Sequence, residues 1–168
     1  MTDPTRDEGP WEATVVEFLE PYERDVAVLV AVGDGVLGDA DLAALTSQPV
    51  DAVTGVLTLL EHTGLVRRDA HGVPAPAHDL VRHAVLDTLG SSERRHLHHR
   101  IARHLDARGD CPSVIAAHFE AAGDAALCRR GLALALDACH RSLALGEIEA
   151  ALTHLGCAER LLQAMDCP

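Results

Sequence analysis

The amino-acid sequence predicts an all-α protein that carries one small β-hairpin. Apolar residues make up 48% of the 168 residues but aromatic residues only 2%, so the core must come mainly from leucine, valine and alanine. Such a composition suits packed helices better than a β-sandwich. From His78 to the C-terminus, apolar residues also recur at helical spacing. The length suits one ordinary domain or two small ones.

The first elements are predicted from short patterns. Residues 1–10 are polar and contain two prolines, which predicts a disordered N-terminus. Apolar residues between Trp11 and Leu19 lie near helical spacing, which indicates a short amphipathic helix that Pro21 should end. The apolar run at 26–32 fits a buried strand as readily as a helix, and its context favours the helix.

A winged-helix order follows. Two helices and a hairpin are predicted, the helices at 39–45 and 49–64 and the hairpin arms at 65–69 and 73–77. Two prolines make the second arm a poor, edge-type strand. Three helices, a hairpin and a further helix from His78 are the order of a winged helix whose wing is the hairpin. We therefore predict an N-terminal helix and winged-helix domain over residues 11–90.

Residues 91–168 predict an antiparallel helical array. Helices punctuated by glycines are expected at His78–Leu89, Ser92–Arg108, Ser113–Ala122, Ala125–Leu145 and Ile148–Met165. The segment from Gly146 is like the turn and second helix of a tetratricopeptide repeat (TPR), with the small residues Ala151 and Ala158 where helices pack closely. Only one full unit fits, whereas solenoids need about three or more. The interpretation is a TPR-like helical domain that is cut off mid-array or capped by a partner.

The charge distribution argues against direct binding of nucleic acid. Residues 1–61 hold 13 acidic side chains against two arginines, whereas residues 62–168 hold 13 against 12. Phosphate binding needs clustered cations, so the first third should repel nucleic acid and acidic membrane surfaces. The predicted third helix has no arginine or lysine with which to read bases.

Several other kinds of site lack the residues that they need. A Walker-type phosphate loop requires a lysine, and the sequence contains none. No apolar run reaches the roughly 18–20 residues of a membrane span and no signal segment is present, so a cytoplasmic protein is expected. The five cysteines form no C-x-x-C pair and should be reduced and mostly buried thiols. No signature marks a nucleophile, so no catalytic residue is predicted.

Histidines on the predicted helix at 92–108 raise the question of a metal site. Glu93, His96 and His99 recur at every third residue and could offer ligands from one face. Helical sites of this kind normally draw on several helices, and no second motif occurs, so we predict no metal. His98 is expected to pack or hydrogen-bond in the core, and His104 to lie at the surface with the others.

The same helix carries a basic stretch. It could be a solvated face that pairs with Glu93 and Asp106, or a docking surface for the acidic N-terminal third or for a partner. The candidate partner-binding residues are Arg94, Arg95, Arg100 and Arg103.

Two strings resemble a known family. They are AHDLVRHAVL from Ala77 and ERRHLHHRIARHL from Glu93. They are similar to the segment after the nucleotide-binding module in signal-transducing NTPases with numerous domains (STAND), especially the large bacterial LuxR-type and antibiotic-regulatory transcriptional activators. The resemblance covers roughly residues 11–165. It implies a winged helix that acts as a hinge on an ATPase core.

The resemblance also implies one sensor residue. In the family, the histidine of a Met-His-Asp-like motif lies near the β-phosphate of bound ADP, and the matching residue here is His78. This sequence departs from the pattern at Pro76, Ala77 and His83. Since the chain has no phosphate loop, His78 should contact a nucleotide only beside an ATPase partner domain, and no cofactor is expected for the chain alone.

The favoured interpretation is a non-catalytic regulatory and protein-interaction module of a STAND-type transcriptional regulator. Its partner would be another protein or the parent ATPase domain, with self-association left open. The alternative is a DNA-binding winged-helix transcriptional regulator with a helical dimerisation tail. A third hypothesis is a small enzyme with a helical metal site.

Overall fold

A computed structural model describes residues 18–166, which are mostly helical and include a two-stranded antiparallel sheet. The predicted all-α class is confirmed at this level. In chain order the elements are α1 (Pro21–Gly33), α2 (Asp39–Thr46), α3 (Val50–His62), β1 (Val66–Arg68), β2 (Pro74–Pro76), α4 (Asp79–Asp87), α5 (Ser91–Arg108), α6 (Pro112–Ala122), α7 (Ala125–Ala144) and α8 (Ile148–Asp166). The chain forms two compact units, the first ending at Leu89 and the second beginning at Gly90.

The N-terminal predictions fall largely outside the described residues. These are the disordered segment 1–10 and the amphipathic helix as far as residue 17. Phe18 and Leu19 lie in a turn and a bend, so the C-terminal end of that predicted helix is wrong. Pro21 begins α1 and does not end a helix. Proline is favoured in a first helical turn because the N–H that it lacks would have no helical partner there.

The ambiguous apolar run is the buried part of α1. Every residue from Val26 to Gly33 is buried, and α2, α3, α4 and β2 all contact this helix. A helix that is apolar on all sides is stable when other elements surround it in this way. At its start, the Glu20 amide donates to the Glu23 carboxylate at 3.0 Å, which satisfies one terminal amide.

The predicted hairpin is present and short. Val66 pairs with Pro76 and Arg68 with Pro74, in antiparallel register. The prolines of β2 have no N–H to donate, so pairing is carried partly by neighbours. The Ala77 amide, for example, donates to the Leu65 carbonyl at 3.0 Å.

The second unit consists of α5 to α8, joined by short connections that make successive helices antiparallel. Each helix contacts the next, and α6 also contacts α8. The core between the last three helices is built from small residues and one leucine: Ala116, Cys128, Ala135, Cys157, Ala158 and Leu161. A Cβ on Gly131 would lie 3.3 Å from Leu161 Cδ1 and 3.4 Å from Ala116 Cα, so glycine permits this close packing.

None of the helices within residues 18–166 has the length and apolarity needed to cross a bilayer.

Candidate protein-interaction surfaces

His78 lies directly before α4, with an exposed side chain. Its backbone is extended, and its carbonyl accepts a hydrogen bond from the Arg82 amide at 3.1 Å. Arg82 holds α4 against the end of α1, because its Nε donates to the Ala31 carbonyl at 3.2 Å and lies 3.5 Å from Asp34 Oδ2. The next residue, Asp79, is an exposed acid. His78 thus lies exposed at the start of α4.

Arg68 on β1 is held by two carboxylates. Its Nη1 and Nη2 donate to Asp39 at 2.8 and 3.1 Å, and its Nε lies 2.8 Å from Glu61 Oε1. Its Nη1 also donates to the Gly72 carbonyl, and Thr54 Oγ1 donates to Asp39. The hydrogen bonds from Arg68 lower the pKa of the Asp39 carboxyl. This cluster joins α2, α3 and the hairpin, and it neutralises the guanidinium beside α3.

The outward face of α3 carries one acidic side chain and no arginine or lysine. Its exposed residues are Val50, Asp51, Ala52, Thr54, Gly55, Thr58, Leu59 and His62. The Nδ1 of His62 is itself 2.7 Å from the Thr58 carbonyl oxygen. Arginine, lysine and amide side chains make most base-specific contacts, and this face provides none of them; its only hydroxyls are those of Thr54 and Thr58.

The four candidate arginines of α5 do not share one surface. Arg95 and Arg103 are exposed, whereas Arg94 and Arg100 are half-buried and have other interactions. At about 100° per residue, the four side chains leave the helix in widely different directions. Arg95 also donates weakly to the Ser91 carbonyl, at 3.4 Å. Any docking role on this helix therefore falls first to Arg103 and Arg95.

A histidine pair joins α5 to α6. The Nδ1 atoms of His98 and His118 are 2.9 Å apart, with ring centroids at 5.1 Å. Burial, and then the neighbouring His98 ring, lower the pKa of His118 to about 4. His98 is half-buried and hydrogen-bonded, as expected. Within residues 18–166 no group of three or more His, Cys, Asp or Glu side chains is placed to hold a metal, and the His96 and His99 rings meet edge to face at 6.5 Å.

Most of the described thiols are buried, as expected. Cys128, Cys139 and Cys157 are buried and free, whereas Cys111 is exposed. Burial raises the pKa of the Cys128 and Cys157 thiols, which makes them poor nucleophiles. Cys167 lies outside the described residues.

The helices α7 and α8 expose an apolar face. Of the eleven exposed large apolar side chains among the described residues, seven lie between Leu136 and Leu162. Leu145 is in the turn, and the other six define what we name the α7–α8 apolar face: Leu136, Leu143, Ile148, Leu152, Leu155 and Leu162. Isolated exposed leucines are ordinary, but a contiguous set marks an interaction surface.

The six residues lie on one side of the antiparallel pair formed by α7 and α8. On α8 they follow steps of three, four and seven residues, and on α7 a step of seven, so each helix carries one stripe. On each helix the stripe lies about 100° from the centre of the buried face, in the same rotational sense. Since the helices are antiparallel, this equal offset brings both stripes to the same side.

No protein-family model, curated protein or solved structure matches the chain. Functional inference therefore depends on the residues and geometry described above. The α7–α8 apolar face was not predicted from the sequence, although the spacing of Ile148, Leu152, Leu155 and Leu162 indicates an apolar stripe. A stripe at this spacing is the usual mark of a core-facing side, so only exposure distinguishes it.

Proposed function

We propose that the chain is a non-catalytic regulatory and protein-interaction module of a STAND-type transcriptional regulator. In this proposal the first unit is a winged-helix hinge, and the second is a TPR-like array that binds a partner protein. The observation that carries the proposal is the α7–α8 apolar face, whose six large apolar side chains are exposed and follow one stripe on each helix within the described residues.

The order and contacts of the elements support the two architectures. Three helices, a two-stranded hairpin and a fourth helix suit a winged helix. In an array of stacked helical pairs, like helices of successive pairs are neighbours. Two ion pairs fit this arrangement: Asp106 with Arg130 at 3.1 Å joins α5 to α7, and Glu120 with Arg160 at 3.2 Å joins α6 to α8.

The exposed face of α3 favours a hinge role for the first unit over a role in DNA binding. It has no arginine or lysine, and the guanidinium of Arg68 beside it is bound by Asp39 and Glu61. A gel shift with random duplex DNA at physiological salt tests this point, with no retardation expected. Sub-micromolar, salt-sensitive binding would favour the alternative, a DNA-binding winged-helix regulator.

The sensor role of His78 has a two-part test. Calorimetry of the isolated chain with ADP should show no binding, because the sequence contains no lysine for a phosphate loop. In a parent protein containing the ATPase core, His78→Ala should raise basal activity, since removing a contact made only in the ADP-bound state shifts the equilibrium towards the other state. The matched control is His83→Ala, which changes an exposed histidine within α4, the helix that begins directly after His78. Unchanged basal activity in the His78 variant would remove this residue from the sensor role.

A further inference from the structure

We propose that the α7–α8 apolar face pairs with the same face of a second copy of the chain. The α7 and α8 helices of the two copies then form a four-helix bundle. The inference rests on the proposed function as an interaction module, and it names the partner that this face takes. The inference rests on two properties of the α7 and α8 stripes. Both stripes are apolar, and their charged residues are opposite in sign.

Each stripe contains one charged side chain, and the two signs are opposite. Arg129 lies seven residues before Leu136, in line with the α7 stripe, and Glu159 lies between Leu155 and Leu162 in the α8 stripe. Both are exposed, and neither has an ion pair within residues 18–166. A covering surface would have to meet a cation on one helix and an anion on the other.

The alignment of α7 with α8 sets the position of each residue along the common helix axis. Gly131 lies directly against Leu161, so α7 and α8 are aligned with these two residues side by side. In antiparallel helices, Arg129 then lies level with Gln163. Glu159 is four residues from Gln163 and therefore about 6 Å further along the axis.

A dimer whose two-fold axis is parallel to the helices keeps this alignment between the two copies. Such an axis places α7 of one copy over α8 of the other at the same level, with all neighbouring helices antiparallel. Leu136 then lies over Leu152 and Leu155 of the second copy. Arg129 lies over Leu162, about one helical turn from Glu159.

The symmetry gives each of these contacts twice. Leu143 likewise falls over Ile148 and Leu152 of the second copy, so the apolar residues of one stripe meet those of the other. An axis perpendicular to the helices would instead stack α8 on α8 and lose the pairing of Arg129 with Glu159. Charge complementarity therefore selects the first arrangement.

Sedimentation velocity on the full chain, from low to high micromolar concentration, tests the proposal. We expect a dimer whose dissociation constant rises by about tenfold or more in Leu152→Glu. The matched control is Thr153→Glu, which adds the same charge at an exposed position about 100° away on the same helix and should leave the dimer unchanged. Far-ultraviolet circular dichroism should show unchanged helicity in both variants, because both positions are exposed.

Charge reversal tests the arrangement within the dimer. Arg129→Glu and Glu159→Arg should each weaken the dimer when alone, because each places like charges together across the interface. Combining both changes in one chain should restore it. Mixing the two single variants should also give a heterodimer, since both of its cross-copy pairs are then opposite in sign.

The outcomes separate this proposal from the proposed function. A chain that is monomeric at all concentrations, or a dimer indifferent to Leu152→Glu and to both reversals, overturns the pairing of the α7–α8 faces. Failure of the double reversal to restore a dimer that both single reversals weaken also overturns it. If the chain is monomeric but Leu152→Glu abolishes binding to a parent ATPase domain, self-pairing fails and the interaction-module proposal stands.

Discussion

Lowering the pH from about 7 to about 5 should destabilise the second unit through His118. This side chain is only 8% exposed, and its Nδ1 lies 2.9 Å from His98 Nδ1. Its pKa is about 4 in the folded chain, against 6.5 for an ordinary histidine. Between these values the unfolded state binds a proton that the folded state does not bind. The free energy of unfolding should therefore fall as the pH falls through this window.

The size of the effect follows from the difference in pKa. One pKa unit corresponds to about 1.36 kcal/mol, so the full difference is worth about 3.4 kcal/mol. Between about pH 7 and about pH 5 the loss should be about 2 kcal/mol, because the folded state is still almost unprotonated at the lower pH. Asp39, whose pKa is lowered, affects the free energy of unfolding in a different pH range. Its stabilisation is lost only as the pH falls below about 4, through its folded pKa.

Urea unfolding at the two pH values measures the effect. His118→Leu should remove most of this pH dependence, whereas His140→Leu should keep it, because His140 is exposed. The comparison uses the change with pH within each variant, so a general loss of stability in His118→Leu does not obscure it. An equal dependence in the wild type and in His118→Leu would refute the reasoning. So would a wild type whose stability does not change between the two pH values.

Further predictions concern packing and the ion cluster around Arg68, and all are measured as free energies of unfolding in urea. Ile101→Ala should cost roughly 2–5 kcal/mol because this side chain is fully buried on α5, whereas the exposed Arg103→Ala should cost no more than about 0.5 kcal/mol. Equal small losses would mean that a different face of α5 is buried. Gly55→Ala should stabilise by roughly 0.5–1 kcal/mol, since nothing lies within 4 Å of the added Cβ. Gly131→Val should instead destabilise by roughly 1–3 kcal/mol because α6 and α8 already touch the Cβ position, and the opposite order would contradict the packing of the last three helices. Arg68→Ala should cost about 1–2 kcal/mol, a value discounted because its side chain is 30% exposed. A loss no larger than that of Arg103→Ala would show that the cluster around Arg68 does not stabilise the first unit.

Local patterns in the sequence were sufficient to place the helices from Asp39 onward and the hairpin. The glycines at 109, 123 and 146 all adopt positive φ at the ends or junctions of helices, where a residue without a Cβ is favoured. The buried stripe of α5, with Leu97, Ile101 and Leu105, follows directly from helical periodicity. Such elements are predictable because the signal lies within a few residues of the chain. Pro21 shows the limit of this reasoning, because a proline can begin a helix as well as end one.

The tertiary structure alone decided which side chains meet and which remain exposed. Arg68 and Asp39, or His98 and His118, are far apart in the sequence, and no local pattern indicates that each pair is in contact. The run at 26–32 became helix because other elements surround it on all sides. The α8 stripe has the spacing of a core face yet is exposed, because burial depends on whether another surface covers it. Periodicity reports which face is apolar, whereas burial is a property of the neighbours that the whole fold supplies.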